Sequence, residues 1–149
     1  MDQRANPVPV KSLSAEAFIR SESTLSVVSE RPFDQVATRL EGSIAVNDLS
    51  VVQSHDFNRL LAAHDIALRA RARVYEVWDP QLAAQLIKVD ASLAHLLPWR
   101  ISIHDEDGVT TVTTPMPTTM IPEFSYSMAV ARVARSFEAR LQRVLTGSR

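Results

Sequence analysis

The sequence predicts a single α+β domain: one mixed, mostly antiparallel sheet with helices packed on one face, in the order β-α-β-α-β-α-β-β-α. Three observations carry that reading. Runs with the two-residue period of strands alternate with runs whose apolar residues recur every three or four positions, as on one side of a helix. Asp107-Gly108 stands between two strand-like runs, and a tight hairpin turn needs positive φ at both central positions. The chain of 149 residues is long enough for one hydrophobic core and leaves little for a second.

Residues 1–20 hold Pro7 and Pro9 and read as an N-terminal arm, partly flexible, with a short helix over Ala15–Phe18 capped by Ser14. The core domain is expected over residues 21–122. Thr24–Ser29 is rich in β-branched residues and reads as the first strand. Pro32 suits a helix start, Asp34 complements the N-terminal dipole, and Phe33, Val36, Leu40 and Ile44 form an apolar face. Leu49–Gln53 is the second strand. Asp56 then caps a helix in which Phe57, Leu60 and Leu61 are the expected buried stripe.

The plainest alternation is Leu68–Val77. It places Leu68, Ala70, Ala72 and Val74 on the covered side, with Arg69, Arg71, Arg73 and Tyr75 on the open side. Asp79 caps a helix that begins at Pro80 and turns Leu82, Leu86 and Val89 inward. After a turn over Ser92–Leu97, Trp99–His104 points Ile101 and Ile103 inward and Arg100, Ser102 and His104 outward. Val109–Thr114 returns from the hairpin. Pro115, Pro117 and Pro122 interrupt regular structure. The C-terminal amphipathic helix, expected over 123–149, carries Val130, Val133, Phe137, Leu141 and Val144 and packs on the core or in a dimer.

Composition excludes several chemistries. With no cysteine, the chain has no disulfide, no thiolate nucleophile and no Cys-ligated metal. A net charge of −1 gives no overall basic field toward nucleic acid, which is therefore a disfavoured partner. No apolar run approaches the length of a membrane span, and residues 1–20 lack a signal-peptide core, so the expected location is cytoplasmic. Glycine occurs only at 42, 108 and 147, which rules out a glycine-rich phosphate loop.

Four stretches occur in an order that resembles the domain of unknown function 302 family. They are Ser54-His55-Asp56-Phe57 with Leu60–Ala63; Arg73–Val77 running into Trp78-Asp79-Pro80; Leu96-Leu97-Pro98 before Arg100–Ile103; and Asp107-Gly108 leading to Thr111-Val112. The resemblance covers about Pro32–Pro117. It implies a small TBP-like α+β domain and no particular reaction. Many members carry a small residue or cysteine, then Asn, before the second stretch's proline, where this chain has Trp78 and Asp79. Some have cysteine after the third stretch's Leu-Pro, where this chain has Trp99. A thiol or soft-metal role tied to those positions is absent here.

Two groups of residues could carry function. Trp78 ends one strand and Trp99 begins another, so the indoles are expected at one end of the sheet, where they could wall an apolar pocket with Tyr75 and His55 nearby. The plain alternative is core packing. Arg69, Arg71 and Arg73, joined by Arg100 and His104, could form an anion site on the open sheet face, against the alternative of a solvated face. His55, His64, His95 and His104 show no metal-ligand spacing, and His104–Asp107 reads as a solvated hairpin tip. No catalytic residue, metal or cofactor is assigned.

The reading favours a non-enzymatic binding or interaction domain, as a homodimer. It would hold a small apolar or amphipathic ligand, or a partner protein, near Trp78 and Trp99. The alternative is an enzyme or enzyme accessory acting on a small anionic metabolite, with Arg71, Arg73 and Arg100 as clamps and His104 as proton carrier. RNA binding along the arginine face is the weaker third reading.

Overall fold

The computed structural model describes residues 18–149. Along the chain run β1 (Ile19–Arg20), β2 (Thr24–Ser29), α1 (Phe33–Val46), β3 (Ser50–Asp56), α2 (Phe57–Ala62), β4 (Ala72–Trp78) and α3 (Pro80–Ile87). A 3-10 turn over Ala91–Leu96 leads to β5 (Trp99–Glu106), β6 (Val109–Pro115), α4 (Pro117–Met120) and α5 (Met128–Ser148). The strands form one sheet in the order β1-β2-β6-β5-β4-β3, and every neighbouring pair is antiparallel. The expected element order holds, with β1 added as an edge and the sheet antiparallel throughout rather than mixed. The expected helix over Ala15–Phe18 falls mostly outside the described residues, as does most of the N-terminal arm.

One face of the sheet is covered. Leu25, Val27, Tyr75, Val77, Trp99, Ile101, Ile103 and Val112 are buried there beneath α1 and α5. α1 contributes Phe33, Val36, Leu40 and Ile44, and α5 contributes Val130, Phe137, Leu141 and Val144, the stripes their spacing predicted. The two helices also bond directly, where Ser43 Oγ donates to the Val144 carbonyl at 2.7 Å. Side-chain caps start the helices where expected. Asp56 accepts from the Arg59 N–H and Asp79 from the Gln81 N–H. Asp107 (φ 51°) and Gly108 (φ 78°) make the hairpin turn.

Five expectations change. β4 begins at Ala72, not Leu68, because side chains take the preceding backbone groups. Asn58 Nδ2 donates to the Ala70 carbonyl, Asn58 Oδ1 accepts from the Ala72 N–H, and Asp105 Oδ1 accepts from the Arg71 N–H. The faces of β4 are also reversed: Tyr75 and Val77 point inward. Alanines supply little apolar area, so the larger Tyr75 and Val77 decide which side is buried. In α2 no residue is buried, and Phe57 and Leu60 are exposed, because this six-residue helix follows the edge strand β3 and no other described helix packs on it. Finally, α3 ends before Val89, which is exposed, and α5 starts at Met128, where Ser127 caps it by accepting from the Val130 N–H.

Candidate functional site: a cleft beside Trp99

The approach to β5 is built from local hydrogen bonds. Asp90 accepts from both the backbone N–H and the hydroxyl of Ser92, at 2.9 and 2.7 Å, and these bonds hold its carboxyl below the usual range. They start the turn Ala91–Leu96, after which the cis Leu97–Pro98 peptide delivers Trp99 into the core. The Trp99 indole N–H donates to Thr114 Oγ1 at 3.0 Å, and that hydroxyl donates onward to the Arg100 carbonyl at 2.9 Å. On its other side the indole meets Phe137 edge-on, with centroids 5.4 Å apart. The one polar atom of the Trp99 side chain is thereby committed, and its ring is buried, with 3% exposure.

A cleft of about 300 Å³ opens at this end of the sheet. Leu96, Pro98, Trp99, Pro115, Met120 and Phe124 line it. His95 and Arg100 complete the lining. His95 Nδ1 lies 2.6 Å from the Ser92 carbonyl, so it carries a proton and donates there, which leaves Nε2 for other partners. The His95 ring stands edge-on to Phe124 at 4.6 Å. The cleft lining is thus mostly apolar, with His95 and Arg100 as its polar residues besides the committed Trp99 indole, the composition usual for small-molecule sites.

Trp78 is not part of it. Val77 stands opposite Trp99 in the register, so Trp78 belongs to the uncovered face, where it is 41% exposed while Trp99 is 3% exposed. The shared end of the sheet was legible in the sequence, but a pocket walled by both indoles does not form. His55 also lies on the uncovered face, with Nε2 3.3 Å from Glu76 Oε2. Tyr75 is buried on the covered face instead of standing with open arginines.

The arginine row does not make one anion site. Arg71 and Arg73 follow Tyr75 onto the helix side, where their guanidinium groups lie 4.2 and 5.5 Å from the centre of the Phe33 ring. Arg71 pairs with Asp34 at 2.9 Å and Arg73 with Asp56 at 3.8 Å. Arg73 also donates to the Tyr75 hydroxyl, which donates in turn to Glu41 Oε1, each at 3.2 Å. That phenol acceptor holds the Arg73 guanidinium above its ordinary value. Burial pushes the Tyr75 phenol up. Arg69 sits in the loop before β4, beside the hairpin tip at Asp105–Gly108. Arg100 and His104 are on the opposite, uncovered face, where His104 pairs with Ala72 in the register and Arg100 with Glu76.

Sequence reasoning missed Met120 and Phe124. The signal was available: two apolar residues set among Pro117, Pro122 and the start of α5, in a segment where the prolines leave only the short helix α4. Such a segment returning from a strand has to cover the sheet end nearest to it. Among the described residues, no three His, Asp or Glu side chains gather as a metal-binding set. No helix among them is long and apolar enough to cross a membrane.

The model of the family described as domain of unknown function DUF302 matches residues 25–147. Among solved structures, the crystal structure of an uncharacterized conserved DUF302 protein from Bacillus stearothermophilus is similar, with a TM-score of 0.77 at 23% identity. The match covers 85% of this chain and 98% of that one. At that identity the likeness speaks for the fold alone. No curated protein matches the chain.

Proposed function

The chain belongs to the domain of unknown function DUF302 family, and on that premise we propose that it is a non-enzymatic binding domain holding a small apolar or amphipathic molecule beside Trp99. The observation that carries the proposal is the cleft: about 300 Å³, walled by Trp99, Met120 and Phe124, at the end of a rigid sheet. A volume near 300 Å³ is at the lower bound for small-molecule pockets. The enzyme alternative required Arg71, Arg73 and Arg100 to converge with His104, and the register puts them on opposite faces. The RNA alternative required an open arginine face, and Asp34 and Asp56 already engage Arg71 and Arg73.

The test uses the full chain with Trp78→Phe, so that Trp99 is the only tryptophan. Titration with the uncharged amphiphile N-phenyl-1-naphthylamine should quench Trp99 emission saturably, and Met120→Lys should abolish the effect. A linear, unsaturable response in both proteins would remove the reading.

A second proposal concerns self-association. Among the described residues β3 is an edge strand with no neighbour on its outer side, and Val51 and Val52 on it are 41% and 54% exposed. Residues Ser50–Ser54 carry no charge, whereas edge strands that stay single are commonly guarded by one. A second copy, related by a twofold axis, would extend the sheet strand to strand.

A further inference from the structure

Resting on the edge-pairing reading above, we infer that in the dimer α2 of each copy packs against the α1–β3 turn of the other, with Leu60 on Val46 and Arg59 beside Asp48. The first observation concerns area. A stable interface buries about 800 Å² on each partner. A strand of seven residues, the length of β3, offers an edge of roughly 24 Å by 10 Å. The β3–β4 register also slips between Val51 and Gln53, and such a bulge bends the edge. Strand pairing alone falls short of a stable interface, so surface beyond the strand ends has to contribute.

Exposed apolar residues stand just beyond both ends of that strand. Val46, at the end of α1, is 82% exposed, and Leu60, on α2, is 50% exposed with Phe57 exposed beside it. Val46 precedes Ser50 by as many residues as Leu60 follows Asp56. A twofold axis through the middle of β3 runs the two edge strands antiparallel, so the segment after one strand meets the segment before the other. Leu60 then reaches Val46 of the partner subunit, and the symmetry makes the same contact a second time.

Charge fits the same placement. Arg59 adjoins Leu60, and Asp48 follows close behind Val46. Among the described residues, neither side chain has an ion-pair partner. Asp48 meets Arg140 only through its backbone carbonyl. Across the twofold axis the guanidinium and the carboxylate fall at the rim of each apolar contact, where interfaces keep their polar groups.

Native mass spectrometry of the full chain reads the outcome. Leu60→Glu and Val46→Lys each put an unpaired charge into both symmetric contacts and should weaken dimerisation at least about tenfold. Both positions are exposed, so the folded monomer should keep its melting temperature. Mixed in equal amounts, the two variants should form a heterodimer, because the new carboxylate then faces the new ammonium while the second contact is that of the parent. Two variants that stay monomeric on mixing would overturn the pairing of α2 with the turn. A parent dimer that Val52→Lys dissociates, and that Leu60→Glu and Val46→Lys leave intact, would overturn the inference and leave edge pairing standing. A parent monomeric at every concentration would overturn both.

Discussion

Trp78 and Trp99 close the same end of the sheet from opposite faces, because Val77 and not Trp78 stands opposite Trp99 in the β4–β5 register. Their environments differ accordingly, with Trp78 at 41% exposure and Trp99 at 3%. Acrylamide should therefore quench the emission of the intact protein in two components. Trp78→Phe should remove the accessible component and shift the remaining spectrum to the blue, and Trp99→Phe should do the reverse. Equal quenching constants in the two single-tryptophan proteins would contradict the register.

Thr114 links the cleft wall to the core by accepting from the Trp99 indole and donating to the Arg100 carbonyl. Thr114→Val preserves shape but leaves a buried N–H without an acceptor, at a cost of about 1–3 kcal/mol. Thr113→Val, one residue away on the uncovered face, loses only a part-buried hydroxyl contact with Ser26 and should cost about 1 kcal/mol or less. Urea unfolding of the two variants measures the difference. A Thr113 variant as destabilised as the Thr114 variant would show that the indole bond contributes little.

The fold was largely legible because its long elements state their own period. α1 and α5 show apolar residues every three or four positions, and β5 buries the Ile101 and Ile103 that its alternation predicts. The site was less legible because it depends on β4, whose alternation pits arginine against alanine. Periodicity shows that two faces exist and does not say which is covered. Tyr75 breaks the tie, since its buried hydroxyl finds both Arg73 and Glu41. Glu41 comes from α1, a partner 34 residues away that no local pattern announces. Leu68–Arg71 failed as a strand for a similar reason, because Asn58 and Asp105 reach its backbone from elsewhere.

Tyr75 gives the protein an alkaline limit. Burial, the leading cause, raises its folded pKa, so the folded state keeps the phenol proton at pH values where the unfolded chain has lost it. The unfolded state then binds fewer protons, and stability falls as pH rises. The contribution is fully present below about pH 10, the unfolded value, and is lost as pH climbs through the folded value. In a Tyr126→Phe background, where Tyr75 is the only tyrosine, absorbance should report titration above that of free tyrosine. Tyr75→Phe should flatten the alkaline fall of the urea midpoint. A phenol titrating at the free value would end this account.

Gly147 of α5 lies against Ser43 of α1. A methyl group there would collide with the Ser43 hydroxyl, which donates to the Val144 carbonyl. Helix propensity favours alanine over glycine by about 1 kcal/mol, so the sign of Gly147→Ala tests which effect wins. The contact should win, because moving Ser43 also breaks its bond to Val144, and the variant should be destabilised by about 1–2 kcal/mol. Ser43→Ala should make the same substitution less costly, visible as a favourable coupling in a double-mutant cycle. A stabilised Gly147→Ala protein would show that the helices can separate without penalty.

Edge pairing through β3 makes a prediction about mass. Light scattering on the eluting protein should give twice the 16.6 kDa chain mass, falling toward the monomer on dilution. Val52→Lys places a charge on the edge that a second copy would have to bury, and should return the monomer at concentrations where the parent is dimeric. The same substitution lies on an exposed position and should leave the melting temperature of the monomer nearly unchanged. Arg20→Ala, on the opposite edge strand β1, serves as the control and should leave the dimer in place. A parent protein that is monomeric throughout would refute self-association. A dimer that tolerates Val52→Lys and dissociates with Arg20→Ala would move the contact to the other edge.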